Sequence, residues 1–282
     1  ETFILINNWF MMFYLITVLL GTIYPIFTDV LTGNKISIGP PFYNVVIIPV
    51  VVIFLLIMAI GPKVKWIKEK FNNLKNYLLI LLGSILINFL IIFLFKSYSI
   101  LSNFIIISSL FLIISSLIDA SKSFKKKRID FARIISHSSF GLLVMFIGLN
   151  DIFSIEKDYN LKLGEKKNFD SYSIELQDLE IENFSNYKAV VGSLEIKNNK
   201  TNKKNILKPE IRIYENPQTL TYEAAIKTSV LKDYYLTMSN IDRSDYYNIK
   251  FQKKPLMIWI WISVVMITIG GFLRLFQNAK YN

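Results

Sequence analysis

The sequence predicts an α-helical polytopic membrane protein, with about six transmembrane helices and an inserted extracytoplasmic all-β domain. Three observations lead there. Apolar residues make up 52% of the chain and charged residues only 19%. The charges are bunched, so that residues 77–95 carry no ionisable side chain beyond a tyrosine phenol. One long segment, 151–254, breaks this pattern and alternates apolar with polar residues. A run of about 18 or more apolar residues crosses a ~30 Å hydrocarbon core as a helix. Helices apolar on every side are too many here for a water-soluble core to cover.

The spans fall at residues 9–27, 45–60, 77–95, 104–120, 132–150 and 255–272. The resulting regions are 1–150 with five helices, 151–254 as the β-rich domain, and 255–282 as the last helix and tail. The first span lacks a basic leader and a small-residue cleavage site, so it does not read as a signal peptide. The chain begins at Glu1 rather than methionine, which leads us to expect more protein upstream. The sequence contains no cysteine and a single histidine. Disulfides, thiolate chemistry and polyhistidine metal sites are thereby excluded for one copy acting alone.

The net charge of +11 suggests nucleic acid until its distribution is considered. Segment 151–254 is nearly neutral, with 17 Lys+Arg against 16 Asp+Glu, while the remainder has 15 against 5. Most of the excess sits in two short loops. The first holds Lys63, Lys65, Lys68, Lys70 and Lys75; the second holds Lys122, Lys125, Lys126, Lys127 and Arg128. Short basic loops stay cytoplasmic, and these two are separated by two spans, so they agree. Alternation then puts both termini in the cytoplasm and segment 151–254 outside, in the periplasm of a bacterial inner membrane. The partner implied by the charge is membrane lipid, with no nucleic acid.

Segment 151–254 reads as about six or seven strands of a small antiparallel sandwich or barrel. Runs at 173–182, 190–197, 211–214, 224–228, 234–238 and 247–251 are β-branched and aromatic. The first slips one register at Asp178. Asp178, Glu180 and Glu182 share a face at period two, which reads as a solvated face. Tyr214, Tyr222, Tyr234, Tyr235, Tyr246 and Tyr247 are candidates for a recognition surface, although tyrosine is also an ordinary strand residue.

His137 is the one pointed chemical signal. It lies about six residues into the fifth span, roughly 8–10 Å along the helix from the cytoplasmic end. An ionisable residue at that depth faces the protein interior and has a partner. Gly141 and Gly148 fall within about 40° of the same direction, forming a stripe bare of side chains. His137 can hydrogen-bond a neighbouring helix while the glycines permit close packing. Alternatively it is an axial ligand to a haem lying over the stripe, with Arg133 one turn away as a partner for a propionate. A proton or ion path is a third reading, and the residues alone leave all three open.

A resemblance adds to this. Tyr24-Pro25, then Leu31 through Asn44 (LTGNKISIGPPFYN), resembles a signature of the CcmF family of cytochrome c biogenesis proteins. Gly61-Pro62 followed by a basic loop with Trp66 is similar to the family, as is Ser136-His137-Ser138-Ser139-Phe140-Gly141. In the outward domain Lys208-Pro209-Glu210-Ile211-Arg212-Ile213-Tyr214, Thr221 through Ile226 and Asp233 through Leu236 follow in family order. Lys254 through Trp261, then Met266 and Gly270-Gly271, resembles the family's last span. The pieces cover nearly the whole chain in order. Serines flank His137 where the family more often has alanine and leucine or glycine.

The resemblance implies a haem lyase component that assists covalent attachment of haem to apocytochrome c in the periplasm. It implies a resident haem b with His137 as one axial ligand and the iron as the metal. Arg133 would serve a propionate and Gly141 would pack against the ring. The second ligand and a tryptophan-rich segment are expected upstream of Glu1. Implied partners are the haem chaperone CcmE, CcmH-type thiol proteins, the apocytochrome and quinol as electron source. No catalytic residue is assigned within the chain. Pro209, Arg212 and Tyr214 are expected to close a turn and tie strands. The competing classes are a scaffold whose β-domain docks partners and a solute transporter. The latter would show inverted repeats, which are absent from the sequence, and Pro49 is the obvious internal helix breaker.

Overall fold

A computed structural model describes residues 2–34, 36–61, 74–95, 99–125, 130–241 and 244–278. Among them are six helices: α1 (Thr2–Thr32), α2 (Pro40–Ile60), α3 (Leu74–Phe95), α4 (Ile100–Lys125), α5 (Phe131–Phe153) and α6 (Met257–Asn278). Each is long and apolar enough to span a membrane, and the chain is a multi-pass membrane protein. Most of the helices extend beyond the spans read from hydropathy at one or both ends, whereas α6 starts at Met257, later than expected, because Pro255 belongs to the last strand of the β unit. α1 continues to Thr32 and stops where Gly33 turns left-handed at φ +69°, its amide bonding the Asp29 carbonyl at 3.0 Å. α2 opens on Pro40, whose fixed φ suits a first turn. Asp130 caps α5, its Oδ1 accepting the Arg133 amide at 3.1 Å. Of the two basic loops, Lys75 and Lys122 lie in described helices. The side chain of Lys125, and all of Lys63, Lys65, Lys68, Lys70, Trp66, Lys126, Lys127 and Arg128, lie outside the described residues.

The chain divides into two compact units, residues 1–152 with 259–282, and residues 153–258. In the helical unit α4 is central. Leu55 and Ala59 of α2 pack with Ile105, Phe111 and Leu112 of α4 and Val144 of α5. α5 presses its small residues onto α4. A Cβ on Gly141 would lie 2.7 Å from Ile113 Cγ1, and one on Gly148 would lie 3.2 Å from Ile105 and Ile106. Backbones approach this closely only where side chains are missing.

The second unit is all β, with ten antiparallel strands in two sheets. One sheet orders β1 (Ile155–Leu161), β10 (Tyr247–Pro255), β9 (Lys232–Asn240) and β8 (Ala225–Lys227). The other orders β2 (Lys166–Phe169), β3 (Tyr172–Asn183), β4 (Tyr187–Asn198), β6 (Glu210–Glu215) and β7 (Gln218–Glu223), with β5 (Lys204–Leu207) also on β4. Their inner faces share one core, including Ile174, Leu176, Leu194, Ile196, Leu236, Met238, Ile249 and Phe251. The register slip at Asp178 is a β-bulge between Leu176 and Asp178. It keeps Leu179 and Ile181 on the same face as Ile174 and Leu176, opposite Gly192 and Val190. Gly192 leaves room for Met238, whose Sδ would lie 2.6 Å from an added Cβ.

Six or seven strands were expected, and ten are present among the described residues. β1, β2, β5 and β7 are rich in Lys, Glu, Asn, Gln and Thr, so they lack the apolar signature that marks a strand from sequence. Edge and near-edge strands of a sandwich need little of it. Asp178, Glu180 and Glu182 are exposed, as a solvated face requires; Glu180 lies 3.9 Å from Lys208. The tyrosines do not form one surface. Tyr234 is buried in the core against Phe251, while Tyr222 is exposed and donates to Asn240 at 3.3 Å.

Candidate functional site

The local sequence of α5 sets the stage for its histidine. Ser138 turns its hydroxyl back onto the Ile134 carbonyl at 2.7 Å, so it does not compete for the imidazole. Phe140, one turn on from Ser136, points to α2 and meets Phe54 with ring centroids 5.9 Å apart. Phe54 is in turn packed against Phe10 of α1 at 5.1 Å. Phe54 and Phe140 of this layer border a cavity of about 490 Å³. Its walls are Met11, Phe54, Ile57, Met58, Phe140 and Ile267, with His137 and Ser136 on the α5 side. That volume is within the ~300–1,000 Å³ typical of small-molecule and cofactor pockets, as is an apolar wall with few polar groups.

Met58 of α2 lines the same cavity beside His137. An apolar cavity with one imidazole on its wall fits a planar apolar cofactor held by one nitrogen.

Gly141 is elsewhere. The space where its side chain would stand is filled by Ile113 and the Ser109 carbonyl of α4, so its missing side chain serves helix packing. This corrects the expectation that the glycine stripe fronts the ligand. Small residues on a helix face leave a groove, and here a neighbouring helix fills it. The cavity is lined instead by α1, α2 and α6, reached from the edge of the stripe by the longer imidazole.

Arg133 lies beside His137, as one helical turn demands, and both line a small space shared with Asp119 of α4. The Arg133 Nε is 4.0 Å from Asp130 Oδ2. That same oxygen is 3.3 Å from Arg274 Nη1 on α6. These groups line a second cavity of about 340 Å³, whose lining also includes Ser136 and His137. Gly270 makes the α5–α6 approach possible, since an added Cβ would lie 2.9 Å from the Ser136 amide nitrogen. Sequence reasoning gave neither Arg274 nor Asp130 a role. The available signals were an Asp immediately before an apolar run, which marks an N-cap, and Gly270 and Gly271 at i−4 and i−3 from Arg274 on one helix face.

In the β unit the motif residues cluster between β4 and β6. Arg212 bonds Glu210 at 2.8 Å and lies 4.9 Å over the Tyr187 ring, which is 5.2 Å from Tyr214. The carboxylate of Glu210 and the Tyr214 hydroxyl hold the guanidinium firmly protonated, above its ordinary range. Pro209 contributes its carbonyl to the Gly192 amide at 3.0 Å. These contacts tie β4 to β6, a structural task.

Comparison with known proteins gives consistent results. Residues 152–255 match the family model described as the CcmF C-terminal beta-sandwich. The chain is 24% identical, over 98% of its length, to the cytochrome c-type biogenesis protein CcmF of Escherichia coli (strain K12), covering 44% of that protein. It is 26% identical, over 99% of its length, to that of Haemophilus influenzae, covering 45%. A solved structure of the cytochrome c haem lyase CcmF superposes with a TM-score of 0.69 at 19% identity, over 93% of this chain and 43% of that one. At that identity the structural likeness is one of fold. The chain spans less than half the length of these relatives.

Proposed function

We infer the role of this chain from two premises: it belongs to the CcmF family of cytochrome c-type biogenesis proteins, and its helical unit places its single histidine on the wall of an apolar cavity. We propose that it is a haem-handling component of cytochrome c maturation. In this reading it holds a b-type haem at His137 and assists covalent attachment of haem to apocytochrome c. The membrane is the bacterial inner membrane, with both termini cytoplasmic and the β unit in the periplasm, as the basic bias of the short loops supports.

The single observation that carries the reading is His137 in its cavity. Haem, when bound, supplies reversible one-electron chemistry at its iron. The chain supplies the rest. His137 offers a ring nitrogen on the cavity wall. Phe54, Met58, Phe140 and Ile267 exclude water, which strengthens every electrostatic interaction made inside. Arg133 sits one turn away as a counter-charge for a carboxylate. The chain lacks cysteine, so the sulfur of a thioether linkage would come from the client. Delivery by the chaperone CcmE, exchange with CcmH-type thiol proteins and reduction by quinol complete the proposal.

Purified protein should show a b-type absorption spectrum that is lost or strongly weakened in His137→Ala. Unchanged haem content in that variant would overturn the ligand assignment. A second reading, a scaffold whose β unit docks partner proteins, is favoured by the self-contained core of residues 153–258. Crosslinks from that unit to partners that persist in His137→Ala would support it.

A further inference from the structure

A second cavity shares Ser136 and His137 with the lining of the apolar one. It is also lined by Asp130 and Arg133 at the start of α5 and by Gly271 and Arg274 on α6. The charges in it are arranged unusually. Two guanidiniums from different helices converge on one oxygen of Asp130, Arg274 at 3.3 Å and Arg133 at 4.0 Å. The other oxygen of Asp130 is taken by the backbone, as the cap of α5. Two positive groups thus share half of one carboxylate, and the cluster has room for further anionic oxygens.

The two arginines are not equivalent. Arg133 also faces Asp119 across the small space on the α4 side and is about two-thirds covered. Arg274 leaves 57% of its side chain exposed. Nothing lies within 4 Å of where a Cβ on Gly271 would stand, so α6 leaves open space at that level. A groove with His137 in its lining and two guanidiniums beside it matches a flat apolar ligand bearing carboxylates on one edge. Arginine forks recognise carboxylates bidentately.

We propose that Arg274, with Arg133 behind it, is the carboxylate anchor of the groove, and that Asp130 is its resident counter-ion, displaced from Arg274 when a ligand carboxylate arrives. The inference deepens the reading of the preceding subsection, on which it rests: the ligand is haem and the carboxylates are its propionates. Arg274 acts as a positioning residue, setting how the ring lies against His137. Asp130 has two separable tasks, since asparagine caps a helix as well as aspartate does but carries no charge.

The test uses purified protein with two probes, haem and its dimethyl ester, whose carboxylates are masked. The unsubstituted protein should prefer free-acid haem. Arg274→Gln should weaken haem binding about tenfold, the loss expected of a charge-assisted hydrogen bond, and leave ester binding unchanged. Arg274→Lys should restore part of the preference. Asp130→Asn should tighten haem binding and raise its reduction potential, because a competing negative charge is gone. Equal loss of both probes in Arg274→Gln would mean that Arg274 only clamps α6 to α5, and the proposal would be overturned. No loss of either probe, with His137→Ala still losing haem, would overturn it while leaving the histidine reading intact. Haem retained in His137→Ala would overturn that reading itself.

Discussion

The two units of this chain use the same apolar residues in opposite ways. In α3, Leu86 and Phe93 are 68% and 72% exposed, while Ser84 and Asn88 are buried. In the β unit, Leu236 and Phe251 are fully buried, and lysines and glutamates cover the outside. Burial follows the solvent. Water drives leucine inward in the β unit. A hydrocarbon surround gives leucine no reason to hide, so small and hydroxylated residues take the helix interfaces. The helical unit is therefore held by close approach along Gly141, Gly148 and Gly270, and the β unit by a dry core.

This contrast can be tested by making comparable changes on both sides. Phe251 of β10 contacts Phe169, Tyr172 and Tyr234 in the centre of the sandwich. Phe251→Ala should cost about 3–5 kcal/mol, the usual penalty for emptying such a site. Urea titration of the β unit's protease resistance, in the full chain, measures it. A loss below about 1 kcal/mol would show that this core is not the main support of the unit.

In the helical unit the equivalent lesion is addition rather than removal. Gly141→Leu would drive a side chain into Ile113 and the Ser109 backbone, and overpacking of that kind costs about 1–3 kcal/mol. The chain has no native cysteine, so an engineered cysteine pair across α4 and α5 reports their separation without background. Crosslinking should fall in the variant. Haem retention by a variant whose α4–α5 crosslink is lost would separate packing at Gly141 from binding at His137.

How much of this was legible beforehand differs between the units for a physical reason. A membrane span declares itself because all its faces are apolar, so all six helices could be read directly. Strand β3 and its bulge were legible too, since Ile174, Leu176, Leu179 and Ile181 record the face they serve. Strands β2 and β7 were not, because KKNF and QTLTYE carry few apolar residues. At the candidate site, His137 and Arg133 were visible as ionisable groups in or beside a span. Gly141 misled: a bare stripe specifies that something lies close, and helix α4 satisfies it as well as a ligand would. Arg274 was hidden because its partner, Asp130, is 144 residues away in sequence, and only the α5–α6 contact joins them.

The smallest expected effect is the sharpest check on the comparison. Leu86 of α3 is exposed in the structure, and lipid tails would fill the place that its side chain leaves. Leu86→Ala should therefore change the stability of the helical unit by no more than about 0.5 kcal/mol, the reduction in favourable transfer to the bilayer being of that order. The same deletion at Leu236, fully buried in β9, should cost about 2–5 kcal/mol. Thermal unfolding in one detergent or bilayer, followed separately for helical signal and for β-unit proteolysis, gives both numbers on one protein. If Leu86→Ala proved as damaging as Leu236→Ala, lipid would not be what covers that face. α3 would then be an interface with other protein, and its exposed row of Leu82, Leu86, Phe89 and Phe93 would mark where that protein sits.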